Sequence, residues 1–290
     1  MATVQGYLLS PSERAFLRDG IQSDIRTDGR QRISYRKLDV EYDPVPQANG
    51  SSRVALGDTE VLVAVKGDIA EGNRPALHFT VDTSSYSLSQ LRENDDKNAV
   101  KDDCQIKAAM VARVFGDSFD LGQLLIADGR FSWTLFVDIL VINDAGNLYD
   151  TMVLGVRAAM MQTKLPKVMI EEGEAVGLSL SDDPADLVVL KCEDLPVLVT
   201  LACFGDCVVV SDPCLAEEAC ADCLVSVAVD SRKRIVLTHK HHSALNTAVV
   251  RAISAETLES AVSVAIATSL PLISETTPPR TPVPMEEVAA

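Results

Sequence analysis

Apolar and polar positions fall into two rhythms along this chain. From Thr134 to Ile142 the run is nearly unbroken and rich in β-branched residues, which predicts a strand buried on both faces. Asn143-Asp144-Ala145-Gly146-Asn147 follows as a turn, with Asp144 or Asn147 placed to cap the next helix. That helix, residues 148–163, is apolar almost all round from Met152 to Met161 and is predicted to be interior. Near the start, Ser10 caps a helix, Pro11 takes its first position and Glu13 completes a capping box, with the helix running to about Gly20. Alternation predicts strands at 35–42, 52–56, 59–66 and 76–82, with Gly57-Asp58 as a hairpin turn. Residues 84–100 are polar and acidic and read as a loop, the run Glu93-Asn-Asp-Asp96 being a solvated part of it. Helical spacing then returns at 102–115 through Ile106, Met110, Val111 and Val114.

The second half repeats this grammar. Strands are predicted at 175–180, 187–191, 197–204, 207–211, 224–229 and 235–239, with a tight turn at Gly205-Asp206 and a short helix over 213–220. A last helix, 247–270, sets Val250, Ile253, Leu258, Val262 and Ile266 on one stripe. Two rounds of strands and a long helix predict an α+β chain whose similar halves, about 8–166 and 167–274, share one core across residues 1–274. The tail 275–290 is Pro-rich and reads as disordered.

Composition sharpens this picture. A chain of 290 residues buries roughly 75% of its unfolded surface. With 47% apolar residues but one Trp and five Tyr, Ala, Val and Leu must fill the core. The formal net charge of −16 argues against free-standing nucleic-acid binding and leaves room for a local basic patch or a basic partner. The N-terminus has no positive segment followed by an apolar one, and no run reaches 18 apolar residues, so a soluble intracellular protein is expected. Seven cysteines in that setting are expected to be reduced thiols.

Candidate chemistry centres on the 143–148 turn. Strand, Gly-containing turn and helix N-terminus make a place for a phosphate, because the first amides of a helix lack intrahelical partners. Yet Leu148, Tyr149 and Asp150 fill the first helical turn, with no Arg or Lys among them. Asp138, inside an apolar strand, reads as a buried carboxylate satisfied by an Arg or by amides rather than as a catalytic group. Arg26 and Arg30 flank Thr-Asp-Gly and could grip a phosphate or equally tie the N-terminal segment to acidic neighbours. Cys203, Cys207, Cys220 and Cys223 have the spacing of a zinc site, but their places beside apolar strands favour small core residues. His239-Lys-His-His242 reads as a solvated loop rather than a metal fragment.

Four blocks in this order carry a resemblance: Arg26-Thr-Asp-Gly-Arg30, Leu56-Gly-Asp-Thr-Glu-Val-Leu-Val63, Phe136 to Pro166, and Asp212-Pro-Cys-Leu-Ala-Glu-Glu218. Over about residues 8–270 the chain resembles the RNase PH family, and within it the ring subunits of the RNA exosome. The resemblance implies an RNase PH-like fold of the ribosomal protein S5 domain 2-like type. It implies RNase PH-like sister subunits in a hetero-hexameric ring, S1/KH-type cap subunits, an associated processive 3′-to-5′ nuclease and single-stranded RNA in the channel. It also implies no cofactor, no metal and no membrane, and residence in the nucleus, nucleolus and cytoplasm.

Active members hold inorganic phosphate in a Gly-Thr-Arg type turn, which Gly146, Asn147 and Leu148 match without the basic residue. They also carry two aspartates six residues apart downstream of that turn. Asp182, Asp183 and Asp186 are the candidate remnants, with Val188 and Val189 six residues past the first two. Both departures imply a chain that does not degrade RNA, and Asp150 is expected to repel any phosphate at the turn. The alternatives are a phosphorolytic 3′-to-5′ exoribonuclease with a displaced site and a sister ring subunit with a different neighbour. Arg113 resembles a position at which archaeal relatives present arginine to RNA, with Gly116 where a second would stand. The plainer role of Arg113 is an ion pair with Asp117, at i,i+4.

Overall fold

The computed structural model describes residues 9–84, 97–126, 130–171, 177–181, 186–205, 208–241 and 253–278. Helix α1 (Pro11–Gln22) begins with the capping box read from the sequence: Ser10 Oγ accepts from Glu13 N and Glu13 accepts from Ser10 N. The first sheet has the order β1 (Leu38–Tyr42), β2 (Gly50–Leu56), β3 (Thr59–Glu71), β6 (Phe131–Asn143), β4 (Ala76–Thr83), with short β5 (Leu125–Ile126) also on β6. All pairings in it are antiparallel except β4 with β6. Gly57, at φ +58, makes the β2–β3 hairpin possible.

Helix α2 (Lys97–Gly116) starts earlier than its apolar spacing predicts and packs on β4, where the rings of Phe79 and Phe115 stack at 6.0 Å. Met110, Val111 and Val114 are buried as predicted, whereas Ile106 is 55% exposed, on the side of the helix away from that contact.

The second sheet has the order β12 (Val208–Ser211), β11 (Val197–Phe204), β13 (Cys223–Val229), β14 (Ile235–His241), all antiparallel. Helix α3 (Leu148–Gln162) lies between the sheets, touching β1, β2 and β3 on one side and β11 on the other. Short α4 (Leu215–Cys220) leads into β13, and α5 (Ala255–Glu275) covers β11 and β13. Every residue of β11 is buried, because helices α3 and α5 both cover it. One apolar cluster therefore runs from Val61 and Val137 through Met152 and Val156 to Val199, Val227 and Leu272. Two small ladders stand outside the sheets: β7 (Lys164–Pro166) with β10 (Leu187–Val189), and β8 (Val168–Glu171) with β9 (Gly177–Leu180).

Two expectations fail for the same reason, that apolar residues outnumber the buried places. Strand β6 is covered on one face only: Leu135, Val137, Ile139 and Val141 are buried, while Phe136, Asp138 and Leu140 are exposed. Asp138 is thus a solvated carboxylate and not a buried paired one. In α5 the core side is a stripe of small residues, Thr257, Ala261, Ala265, Ser269 and Leu272, one place off the predicted stripe, and Leu258 is exposed. Small side chains let the helix approach the sheet closely. This helix is long and apolar enough to cross a bilayer, but its small-residue stripe is packed against protein. Val250, Asp206, Cys207, His242, the 93–96 acidic run and the tail from 279 lie outside the described residues.

Helix α3 meets β2 closely at Gly50, and two residues on Ser52 Oγ donates to Gly155 O at 2.7 Å. A Cβ at Gly50 would lie 2.5 Å from Thr163 Oγ1 and 2.7 Å from Ala159 O, which is backbone and cannot swing away. Gly50→Ala is expected to destabilise the fold by about 2 kcal/mol, read as a lower midpoint in chemical denaturation. An unchanged midpoint would show that α3 is free to move off the sheet.

Candidate functional site

The turn after β6 is built around Gly146. Its φ is +98, and a Cβ there would lie 2.5 Å from Leu215 N and 2.8 Å from Pro213 O, so only glycine lets the β12–α4 connection press against it. Thr59 fixes the turn from β3: its hydroxyl donates to Gly146 O at 2.7 Å and accepts from Ala145 N at 3.1 Å. Arg36 adds a bond from Nη2 to Gly146 O at 2.9 Å.

Neither residue expected to cap α3 does so. Asp144 accepts from Gly146 N inside the turn, and Asn147, in the left-handed region at φ 55, makes no side-chain cap. Asn147 Nδ2 instead donates to Asp150 Oδ2 and to Asp212 Oδ1, each at 2.9 Å.

The amide that would meet a phosphate is already taken. Asn147 N donates to Glu218 Oε1 at 2.7 Å, so a carboxylate carried by α4 sits at the N-terminus of α3. Burial, and then Asp144 nearby, push the Glu218 carboxyl up to about 8. Leu148, where active relatives are basic, is buried. Outside the turn, a cleft of about 480 Å³ is lined by Gly57, Asp58, Glu60, Asn143, Asp144, Ala145 and Leu215, with three carboxylates and no basic side chain. The electrostatics of the site are those of a place for cations or amides, not for a phosphate dianion.

Asp212 is fully buried, at φ 48, and is the meeting point of the cluster. It accepts from Arg30 Nη1 at 2.7 Å, from the Arg36 backbone amide, Nε and Nη2 at 2.8 to 2.9 Å, and from Asn147. Burial acts to raise its carboxyl, but the bonds and charge of Arg36 outweigh this and hold it below the ordinary carboxylate value. Arg26 makes two bonds to buried Glu217, at 2.8 and 2.7 Å, and binds the carbonyls of Ser211 and Asp212. Of the two roles open to Arg26 and Arg30, the structure selects the structural one.

Asp150 does not face the turn's outer side, contrary to the expectation that it would repel a phosphate there. It is buried and takes bonds from Tyr35 Oη, Asn147 Nδ2, Thr200 N and Thr200 Oγ1. Burial raises its carboxyl to about 7 against the pull of these donors. From Thr200 Oγ1 a chain continues to Ser226 Oγ at 2.7 Å and to His241 Nε2 at 2.9 Å. His241 stacks on Tyr149 at 4.7 Å and meets His239 edge-on at 4.5 Å. These two histidines are strand residues of β14, not the solvated loop expected, because pairing with β13 extends to Leu224 and His241.

Two models of the 3′ exoribonuclease family match the chain, domain 1 over residues 34–166 and domain 2 over residues 194–268. The exosome complex component Rrp42 of Thermococcus kodakarensis is 33% identical over 74% of this chain and 78% of its own length. The chain belongs to the RNase PH family of 3′ exoribonucleases. The Rrp42 component of Sulfurisphaera tokodaii is 34% identical over 75% and 78% of the two chains. Among solved structures, a chain of the Archaeoglobus fulgidus exosome with RNA bound to the active site shares the fold at a TM-score of 0.72, with 24% identity over 91% of this chain and 97% of that one.

A pair of acidic residues with the six-residue spacing expected of the RNase PH pattern stands beside the turn. Asp212 and Glu218 are six apart, and both reach Asn147. Asp186 is engaged elsewhere: its side chain accepts from Ser181 Oγ and its carbonyl from Lys167 N, beside the outer ladders. Asp182 and Asp183 lie outside the described residues. The six-residue spacing was the signal that could have found Asp212 and Glu218, whereas Tyr35, Arg36 and Thr200 carry no local motif.

Arg113 is exposed in the last turn of α2, and among the described residues it makes no ion pair, so the pairing with Asp117 is not present. Cys203 and Cys223 face each other across β11 and β13, both buried, and Cys207 lies outside the described residues. Among the described residues no three His, Cys, Asp or Glu side chains are placed to hold a metal.

Asp150 and Glu218 bind protons more tightly in the folded chain than in the unfolded one, with folded values of about 7 and about 8. Their contribution is therefore fully present below the ordinary carboxylate values and is lost progressively as pH rises from there through those folded values. Asp212, held low, contributes in the opposite sense, and its share is lost on acidification. Thermal melting is expected to peak on the acid side of neutrality and to fall toward pH 8, and Glu218→Gln should flatten that fall. A melting temperature that rises steadily from pH 5 to pH 8 in the unaltered chain would contradict the assignment.

Proposed function

We propose that this chain is a non-catalytic ring subunit of an RNA exosome core. It helps to form the channel through which single-stranded RNA is threaded to an associated processive 3′-to-5′ nuclease. Its partners are RNase PH-like sister subunits and S1/KH-type cap subunits, in the nucleus, the nucleolus and the cytoplasm. The observation that carries the reading is the Glu218 carboxyl group on the Asn147 amide, beside a buried Leu148. A phosphate would have to displace an internal group and then find no cation. The second acidic group, Asp212, is neutralised by Arg30 and Arg36 and is not free to act on a proton or a metal. The names of the archaeal relatives, exosome complex components, support the assembly. The acidic balance of −16 suits a subunit held among basic neighbours.

The purified chain is expected to release no nucleoside diphosphate from RNA at any phosphate concentration. Leu148→Arg alone should not create that activity, because Glu218 still occupies the turn. Phosphate-dependent release that disappears in Glu218→Gln or Asp212→Asn would instead establish a phosphorolytic exoribonuclease.

Arg113 supplies the RNA contact in this reading, as one charge-assisted grip on the backbone without base preference. Arg113→Glu in the assembled ring should weaken RNA threading by about 1 kcal/mol regardless of sequence. The salt dependence should drop by about one counterion. Unaltered affinity and salt slope would remove Arg113 from the channel.

A further inference from the structure

Strand β11 carries Cys203 and β13 begins with Cys223, and the antiparallel register sets the two directly opposite each other. Among the described residues no other ladder pairs two cysteines. Directly opposed residues of an antiparallel pair have Cα atoms about 4.5 or 5.5 Å apart. Both separations lie within the roughly 4.4–6.8 Å that a disulfide spans, so the strands would not have to move to be bridged. The two side chains also share one face of the sheet: with Val199, Leu201, Val225 and Val227 they belong to the main apolar cluster, whereas Ala202 and Phe204 pack on the opposite side with Leu17 of α1.

The register at this end of the ladder is clamped. Asp222 N donates to Cys203 O at 2.9 Å, and the Asp222 carboxylate accepts from Gly205 N at 2.7 Å and from both terminal nitrogens of Arg18 at 3.0 Å. The residues beside the two thiols are thus tied across the strands. The thiols themselves differ. The S–H of Cys203 is turned toward the Cys223 sulfur, which holds the Cys223 thiol below its ordinary value against the effect of burial, with the charge of Lys240 in support. That same contact, then burial, pushes Cys203 up. By contrast, burial pushes Cys192 up to about 12 and Cys214 up to about 11. A thiol held low supplies the thiolate that reacts with an oxidant, and a second thiol beside it resolves the product.

We propose that Cys203 and Cys223 form a redox modification site, a dithiol that a hydroperoxide converts into a cross-strand disulfide. Both residues are buried, so the oxidant that suits the site is a small one such as hydrogen peroxide. The Cys223 thiolate attacks one peroxide oxygen and the O–O bond breaks, leaving a sulfenic acid on Cys223 and a hydroxide that takes up a proton as water. The Cys203 sulfur then attacks the Cys223 sulfur; the S–S bond forms, the S–O bond breaks, and the departing hydroxide leaves as a second water with the Cys203 proton. The two sulfurs together lose two electrons and the peroxide gains them. The bond closes the segment 203–223, which carries Asp212, Glu217 and Glu218, so oxidation would fasten the acidic part of the Asn147 cluster covalently to the second sheet.

The test treats the full purified chain, fully reduced, with hydrogen peroxide, then alkylates it in urea and maps it by mass spectrometry, beside Cys203→Ser and Cys223→Ser. Wild type should yield a peptide pair joined through Cys203 and Cys223, lighter by two hydrogens than the reduced pair and separated again by dithiothreitol. Its melting temperature should rise by about 5 °C on oxidation and return on reduction. Cys203→Ser should stop at a sulfenic acid on Cys223 that dimedone captures, whereas Cys223→Ser should leave Cys203 open to alkylation. Where a serine variant does not fold, the wild-type map decides alone. A link through any other cysteine, Cys207 included, a link that forms only when peroxide is added to the denatured chain, or free thiols at both positions after treatment would overturn the proposal.

Discussion

The buried carboxylate of Asp212 is the interaction on which the arrangement of this molecule depends. An isolated carboxylate could not remain ionised where no water reaches it. Arg30 and Arg36 come to it from the N-terminal segment and Asn147 from the turn before α3, and both stretches are thereby held in place. Through Arg36 the same carboxylate steadies Gly146 O, and through its own carbonyl it receives Arg26, which in turn holds Glu217. The N-terminal segment, the turn before α3 and the start of α4 are one electrostatic unit. Removing a single partner would leave a buried charge uncompensated, which is why such clusters change little by little steps.

That unit also explains how an anion turn comes to be closed. The backbone of the turn keeps its positive-φ glycine at the N-terminus of a helix. What differs is the filling. Once Leu148 is buried and Glu218 has taken the amide of Asn147, the turn gains stability from the very donor that a substrate would need. Loss of a catalytic anion site here is a matter of internal substitution, one acid group standing where a ligand would stand, and not of a collapsed loop.

The sequence made the elements legible wherever local physics decides them. The capping box at Ser10 and Glu13, the β11 run and the Gly57 hairpin are fixed by neighbours a few residues apart. What could not be read depends on distant packing. Whether Phe136 and Leu140 face the core or the open side of β6 is decided by which face of the sheet helices α2 and α3 cover. The α5 stripe shifted because close approach selects Ala261 and Ala265 over the larger Leu258. At the site, the Gly146 turn and the missing cation at Leu148 were visible in sequence, but the acidic pair was sought at Asp182, Asp183 and Asp186. Asp212 and Glu218 share the six-residue spacing in sequence, and the fold adds that Asn147 stands between them.

The chain of hydroxyls from Asp150 to His241 has only two self-consistent arrangements. With Asp150 ionised, Thr200 gives its one hydroxyl hydrogen to Oδ1, Ser226 gives its own to Thr200, and His241 must offer a hydrogen from Nε2. Oδ2 already accepts from Tyr35, Asn147 and the Thr200 amide, so a proton added to Asp150 goes to Oδ1. All three bonds then reverse, and a neutral His241 must carry its hydrogen on Nδ1. The imidazole stacked on Tyr149 therefore records, by the nitrogen that holds its hydrogen, the charge of a carboxylate two strands away inside the protein.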